Sequence, residues 1–137
     1  MVKVEFSSER VVDASLKVNI NQSGNLALKN KFSFRTYFSS DGKSAKAVLG
    51  LSVYEDNGKF AVHTETEGYF VIDGVESDTD RKVVNTKCLD QLFEYAAGHV
   101  TALAEMGGIK NLPIPKPEIA FDDIQVNYIQ QPAGMTS

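Results

Sequence analysis

The sequence predicts an α+β fold: a four-stranded antiparallel sheet with one long and one short C-terminal helix packed on one face. Three observations carry this. Residues 2–72 alternate apolar and polar side chains over several runs, the period of a half-buried strand. Asp41-Gly42 and Asn57-Gly58 separate the last three runs, and such pairs accept the positive φ of tight hairpins. Leu89, Leu92, Phe93, Ala96, Val100 and Leu103 then recur at spacings of three and four, an amphipathic helical stripe.

In chain order, Val2, Val4 and Phe6 alternate with Lys3 and Glu5, and the pattern resumes at Leu16, Val18 and Ile20. This reads as one strand, broken or bulged between Ser7 and Asp13. Residues 21–25 form a turn cluster. The second strand puts Phe32, Phe34, Thr36 and Phe38 on one face and Ser33, Arg35 and Tyr37 on the other. The third puts Ala45, Ala47, Leu49, Leu51 and Val53 on the apolar face. The fourth, 59–72, places Phe60, Val62, Thr64, Thr66 and Phe70 inside, with His63, Glu65, Glu67 and Tyr69 outside. The outer face, with Arg35, Lys46, Ser52, His63, Glu65 and Glu67, is expected to be wet. The inner face needs cover.

The whole chain reads as a single domain. The sheet takes 1–72, a crossover 73–88 and the long helix 89–106. A Pro-rich loop follows at 107–117, then a short helix at 118–130 and a tail at 131–137. An 18-residue helix is about 27 Å long and about 10 Å wide, narrower than four strands at about 4.8 Å spacing. Apolar surface is therefore expected to remain, as an oligomer interface or a binding groove. Gly98 lies inside the helix, at a cost of about 1 kcal/mol relative to alanine. With Ala96, Ala97 and Ala102 it thins one side. This is either a tolerated run of small residues or the close approach of a helix from a second subunit.

Composition narrows the function classes. Net charge is −4 over 137 residues, which argues against a nucleic-acid partner. The single cysteine, Cys88, forms no intramolecular disulfide and fits a reducing compartment. Met1 to Phe6 carries no signal-peptide pattern, and no apolar run reaches the roughly 20 residues of a membrane span. A soluble cytoplasmic protein without membrane insertion is the expectation.

No catalytic or metal constellation emerges, so the chain is expected not to be an enzyme and to use no cofactor. His63 and His99 sit on different elements without a ligand motif. His63 reads as a solvated strand residue and His99 as a packed or interface histidine. Cys88 reads as a small buried residue. Glu65, Glu67, Glu76, Asp78 and Asp80 lack calcium-loop spacing and read as a solvated run. Pro113, Pro115 and Pro117 hold residues 108–121 extended, as one wall of a groove or as a rigid linker.

Four segments in this order, EGYFVIDGVE (67–76), KCLDQLFEYAAGHVTALAEMGG (87–108), NLPIPKPEIAFDDI (111–124) and NYIQQPAG (127–134), resemble SecB, the bacterial protein-export chaperone family. The family pattern there is a glycine-aromatic strand end, an I-x-G turn and a C-P-x-x-L-F-P-Y-A-R helix start. An N-L-x-P loop and a short helix follow. Leu89 and Glu94 stand where the family has prolines, and Ala97 where it has arginine. The resemblance implies an ATP-independent holdase for unfolded preproteins or other non-native polypeptides, assembled with itself as a dimer of dimers. It implies a client groove at Phe70, Ile72, Val75, Val83, Val84, Leu112 and Ile114. It implies an oligomer interface at Leu92, Ala96, Gly98, His99 and Ala102. Asp13 keeps one acidic position of the surface that docks the translocase motor SecA, whereas Lys17 and His63 replace two others. The alternatives are a SecB-like chaperone dedicated to one client, such as an antitoxin, or a non-enzymatic oligomeric adaptor. A small-molecule site ranks last, because no polar cluster would fix a ligand.

Overall fold

The computed structural model describes residues 2–19, 27–56 and 58–128. Five strands form one sheet: β1 (Lys3–Val18), β2 (Leu28–Phe38), β3 (Ser44–Glu55), β4 (Phe60–Asp73) and β5 (Asn127–Tyr128), in the order β1-β4-β3-β2-β5. One helix, α1 (Asp78–Met106), crosses the inner face. The turn cluster at 21–25 lies outside the described residues.

The strands form for the expected reason. Inner-face positions of β3 and β4 are buried one after another, from Ala45 to Val53 and from Phe60 to Ile72. Antiparallel pairing sets Leu49 opposite Thr66 and Leu51 opposite Thr64, so both strands present the same face to α1. β1 pairs with β4 through two register shifts, between Phe6 and Ser8 and between Val11 and Asp13. Each bulge inserts one residue and inverts the alternation, and the second restores what the first inverted, so Phe6 and Leu16 share one face.

Three expectations need correction. The sheet is mixed and five-stranded, because Asn127 and Tyr128 pair in parallel with Tyr37 and Phe38. No second helix forms at 118–130 among the described residues. Phe121–Asp123 is a single 3-10 turn, and the chain then extends into β5. Pro113, Pro115 and Pro117 remove three backbone donors, and apart from that single turn no helix forms between residues 109 and 126. Finally, α1 starts at Asp78, eleven residues before Leu89, and only residues 74–77 remain as a crossover. Ser77 caps it: the Asp80 N–H donates to Ser77 Oγ at 3.1 Å, and the Glu76 N–H donates to Asp80 Oδ2 at 2.9 Å. Asp78 and Asp80 also favour the positive end of the helix dipole.

The core lies between α1 and the sheet. Val84, Cys88, Leu92, Ala96, Val100 and Ala104 of the helix are fully buried against Leu49, Phe60, Val62 and Phe70. The small residues Ala96 and Ala104 let α1 approach closely, as does Gly68, whose missing side chain leaves room for Leu92. The helix packs mainly on β1, β4 and β3 and barely reaches β2. That asymmetry positions the site.

Candidate functional site

β2 is left to the chain that follows α1. The extended segment from Leu112 to Pro117 crosses the inner face beside β2 and β3, with Leu112 and Pro117 buried and Ile114 half-buried. It does not close the surface. A groove of about 190 Å³ remains between Asn30, Phe32, Leu51 and Val53 on the strands and Ile114, Pro115 and Pro117 on the segment. Phe32, an inner-face aromatic, stays 42% exposed there. Sequence reasoning placed Phe32 on the apolar face but did not single it out, because alternation shows which way a side chain points and not whether a helix reaches it.

Two more cavities flank the same segment. One, of about 280 Å³, lies between Asn85, Thr86, Leu89 and Asp90 of α1 and residues 116–119. The other, of about 120 Å³, lies between Phe34, Arg35 and residues 119–127. Asn85 borders both. It is buried, and its Nδ2 donates to Thr36 Oγ1 at 2.8 Å while its Oδ1 has no partner.

The predicted groove residues divide. Phe70, Ile72, Val84 and Leu112 are buried in the core, Val75 and Ile114 pack against its rim, and Val83 is half-buried on α1. The predicted interface residues divide as well. Leu92 and Ala96 face the sheet and are fully buried. Gly98 and Ala102 are exposed, and nothing lies within 4 Å of where a Gly98 Cβ would be. They continue into an apolar flank with Tyr95 and Met106, the latter 80% exposed. Phe6 of β1 stacks on Tyr95 with ring centroids 4.7 Å apart. His99 faces both oxygens of Glu9 on β1, its Nε2 3.1 and 3.0 Å from them. Beside this flank, Val11 and Val12 of β1 are exposed, and β1 has no strand on its outer side. Among the described residues the sheet therefore has two open edges: all of β1, and β2 from Leu28 to Thr36.

The outer face carries the remaining polar chemistry. Glu67 accepts from Arg10 at 3.0 and 2.9 Å and from the Tyr69 hydroxyl at 2.8 Å, and Lys46 lies 3.9 Å away. Partial burial pushes its carboxyl up, but the Tyr69 and Arg10 hydrogen bonds and the two positive charges outweigh this and hold it below the ordinary range. Asp13 approaches His63 Nε2 at 3.7 Å, while Ser52 Oγ lies 2.7 Å from His63 Nδ1. Serine, histidine and aspartate thus meet, but on an open pleat, and neither His63 nor Asp13 borders the three cavities. Cys88 lies in the middle of α1, where burial pushes its thiol well above the ordinary range, so it is not a nucleophile. Among the described residues no group of three metal-ligating side chains occurs, and no helix is long and apolar enough to cross a membrane.

No known family model matches the chain. Curated relatives do, two of them as follows. The protein-export protein SecB of Saccharophagus degradans is 29% identical over 86 residues, which are 63% of this chain and 50% of that protein. The SecB of Cellvibrio japonicus is 31% identical over 85 residues, 61% of this chain and 50% of that protein. The chain thus spans about half the length of the curated relatives it matches. In fold it is similar to a SecB-like chaperone of Mycobacterium tuberculosis solved in complex with a peptide from an antitoxin. The TM-score is 0.65 at 10% identity, with 84% of this chain and 88% of that one covered.

Proposed function

We propose that this chain, a divergent SecB-like protein, is an ATP-independent holdase that binds non-native polypeptide along β2 and the Pro-rich segment. The observation that carries the reading is the uncovered inner face: Phe32 stays exposed beside an apolar groove and an unpaired strand edge. A client strand added there would gain main-chain hydrogen bonds from β2 and put alternate side chains into the groove. Of the groove residues expected from sequence, Ile114 lines this groove, whereas Phe70, Ile72, Val84 and Leu112 are core and Val75 and Val83 lie outside it. Many weak contacts of this kind give broad selectivity and need no nucleotide or metal.

Self-association belongs to the same reading. The flank at Tyr95, Gly98, Ala102 and Met106, with the open β1 edge, offers two separate surfaces, as a dimer of dimers requires. SecA docking is less well supported. Glu67 is paired with Arg10 and Lys46, and Asp13 approaches His63, which leaves Glu65 and Glu5 as outer-face acids without an ion pair among the described residues. This favours a second reading, a chaperone dedicated to one client such as an antitoxin, the class of peptide held by the M. tuberculosis neighbour.

The test is suppression of aggregation of a reduced, unfolded protein at near-stoichiometric ratio without nucleotide. Failure with several clients sinks the holdase. Affinity capture then separates the two readings. Many unfolded precursors support a general holdase, and one dominant partner supports the dedicated chaperone.

A further inference from the structure

The open edge of β2 has unlike chemistry on its two sides. Strand alternation sends Phe32 and Phe34 inward, and Phe32 lines the groove with Leu51 and Val53. The same alternation sends Lys29, Lys31 and Arg35 to the outer face, and all three are exposed. Lys29 pairs with Asp56, and Lys31 lies 5.7 Å from the centroid of the Tyr54 ring. Arg35 and Lys31 make no ion pair among the described residues. The carboxylates recorded beside this strip are Asp56, already engaged, Glu55, buried on the inner face opposite Leu28, and Asp123, which shares a cavity with Arg35 without pairing to it. A chain of net charge −4 thus carries a cationic strip along one open strand edge.

We infer that this edge selects extended segments in which apolar side chains alternate with acidic ones. The inference rests on the client-binding reading above and names the substrate class of that site. A guest strand paired with β2 keeps the pleat in register, so its inward residues meet Phe32 and the groove while its outward residues lie beside Lys29, Lys31 and Arg35. Acids at those outward positions are attracted and lysines are repelled. Edge lysines also occur as guards against unwanted pairing. Here the apolar side beside them stays open, with Phe32 exposed in the groove that Lys31 and Lys116 also border. What the cations do exclude is a second copy of the same edge, which would set three like charges against three. Residues 119–127 flank Phe34 and Arg35, so the stretch clear of the chain's own segments runs from Leu28 to Ser33 and spans about 20 Å at the usual strand rise, enough for about six residues of a guest.

The experiment uses three fluorescently labelled octapeptides, alternating Val-Glu, Val-Ser and Val-Lys, titrated into the full chain and read by anisotropy. The expected order is Glu tightest, Ser about tenfold weaker and Lys weaker still. The spread should collapse in 0.5 M salt. It should shrink in the double variant Lys31→Ser, Arg35→Ser, while a double variant of lysines off this edge, Lys82→Ser, Lys110→Ser, should leave it intact. Amide exchange should slow over residues 28–33, and N-methylation of alternate Val-Glu residues should abolish binding. Equal affinities for the three peptides, with aggregation suppression intact, overturn this inference and leave the holdase standing. Protection over residues 3–18 instead also overturns it. Loss of both peptide binding and aggregation suppression removes the holdase reading as well.

Discussion

Gly68 is the point at which the sheet and the helix constrain one another most tightly. It pairs with Glu9 on one side and Ala47 on the other, in strand conformation, so the backbone itself would accept alanine. By propensity alone Gly68→Ala should stabilise by about 0.4–1 kcal/mol. Space decides otherwise. A methyl group there would lie 2.8 Å from Leu92 Cδ1, 3.0 Å from Phe70 Cε1 and 3.3 Å from Leu92 Cδ2. Leu92 and Phe70 are both essentially fully buried, so neither can swing into solvent. Overpacking of this kind costs about 1–3 kcal/mol, which leaves a net loss of about 1–2 kcal/mol. Leu92→Ala alone should cost about 2–5 kcal/mol, through lost burial and the void it leaves. In the double variant the new methyl enters that void, so the two losses should fall short of their sum by about 1 kcal/mol or more. The assay is urea unfolding followed by circular dichroism at one fixed protomer concentration, because an associating protein gains apparent stability with concentration. A neutral or stabilising Gly68→Ala, or an additive cycle, would refute the claim that Leu92 occupies the space Gly68 leaves.

Three further outcomes are expected. Thr64 and Thr66 are buried with hydroxyls that have no partner, so Thr64→Val and Thr66→Val should each raise stability by about 1 kcal/mol. Thr36→Val, on the same face, should lower it by about 1–3 kcal/mol by stranding Asn85 Nδ2, and the urea midpoints read both signs. Glu67 has a folded-state affinity for protons below its ordinary value of 4.5, so its stabilisation is present above that value and is lost as pH falls through the folded one. The midpoint difference between the natural chain and Glu67→Gln should therefore be constant near neutrality and shrink below about pH 5, and a difference independent of pH down to 3 would show that the Arg10–Tyr69–Lys46 cluster does not hold the ionised form. Gly98→Leu meets nothing within the protomer and should raise helix stability by about 0.8 kcal/mol while weakening self-association, and sedimentation showing unchanged association would remove that flank from the interface.

Much of the fold was legible because alternation and turn chemistry are local signals. The inner-face positions of β3 and β4 follow from period two alone, and the interruption of β1 followed from its broken alternation. The early start of α1 was also written in the chain, as Ser77 followed three residues later by Asp80, a carboxylate at the capping position. It was passed over because residues 78–82 carry no apolar stripe, being a turn of helix beyond the sheet. β5 left no signal, since two residues cannot show a period and their pairing is decided by where the proline segment delivers them. For the site, helical periodicity ranked Leu92 and Ala96 with Gly98 and Ala102. It could not tell the side that faces this chain's own sheet from the side that faces away.

The two open edges of the sheet differ in a way that bears on the proposed assembly and client binding. β1 carries charges of both signs, Lys3, Glu5, Arg10, Asp13 and Lys17, along with the exposed Val11 and Val12. A two-fold axis sets a strand against its own reversed copy, so a strand of mixed sign can satisfy itself while a strand of one sign cannot. β2 carries only Lys29, Lys31 and Arg35 on its outward side. The same rule that permits β1 to pair with β1 therefore forbids β2 from pairing with β2. In the proposed assembly, self-pairing would be directed to the edge beside the apolar helix flank, leaving the edge beside the groove to the proposed guest, which is not another copy of the chain.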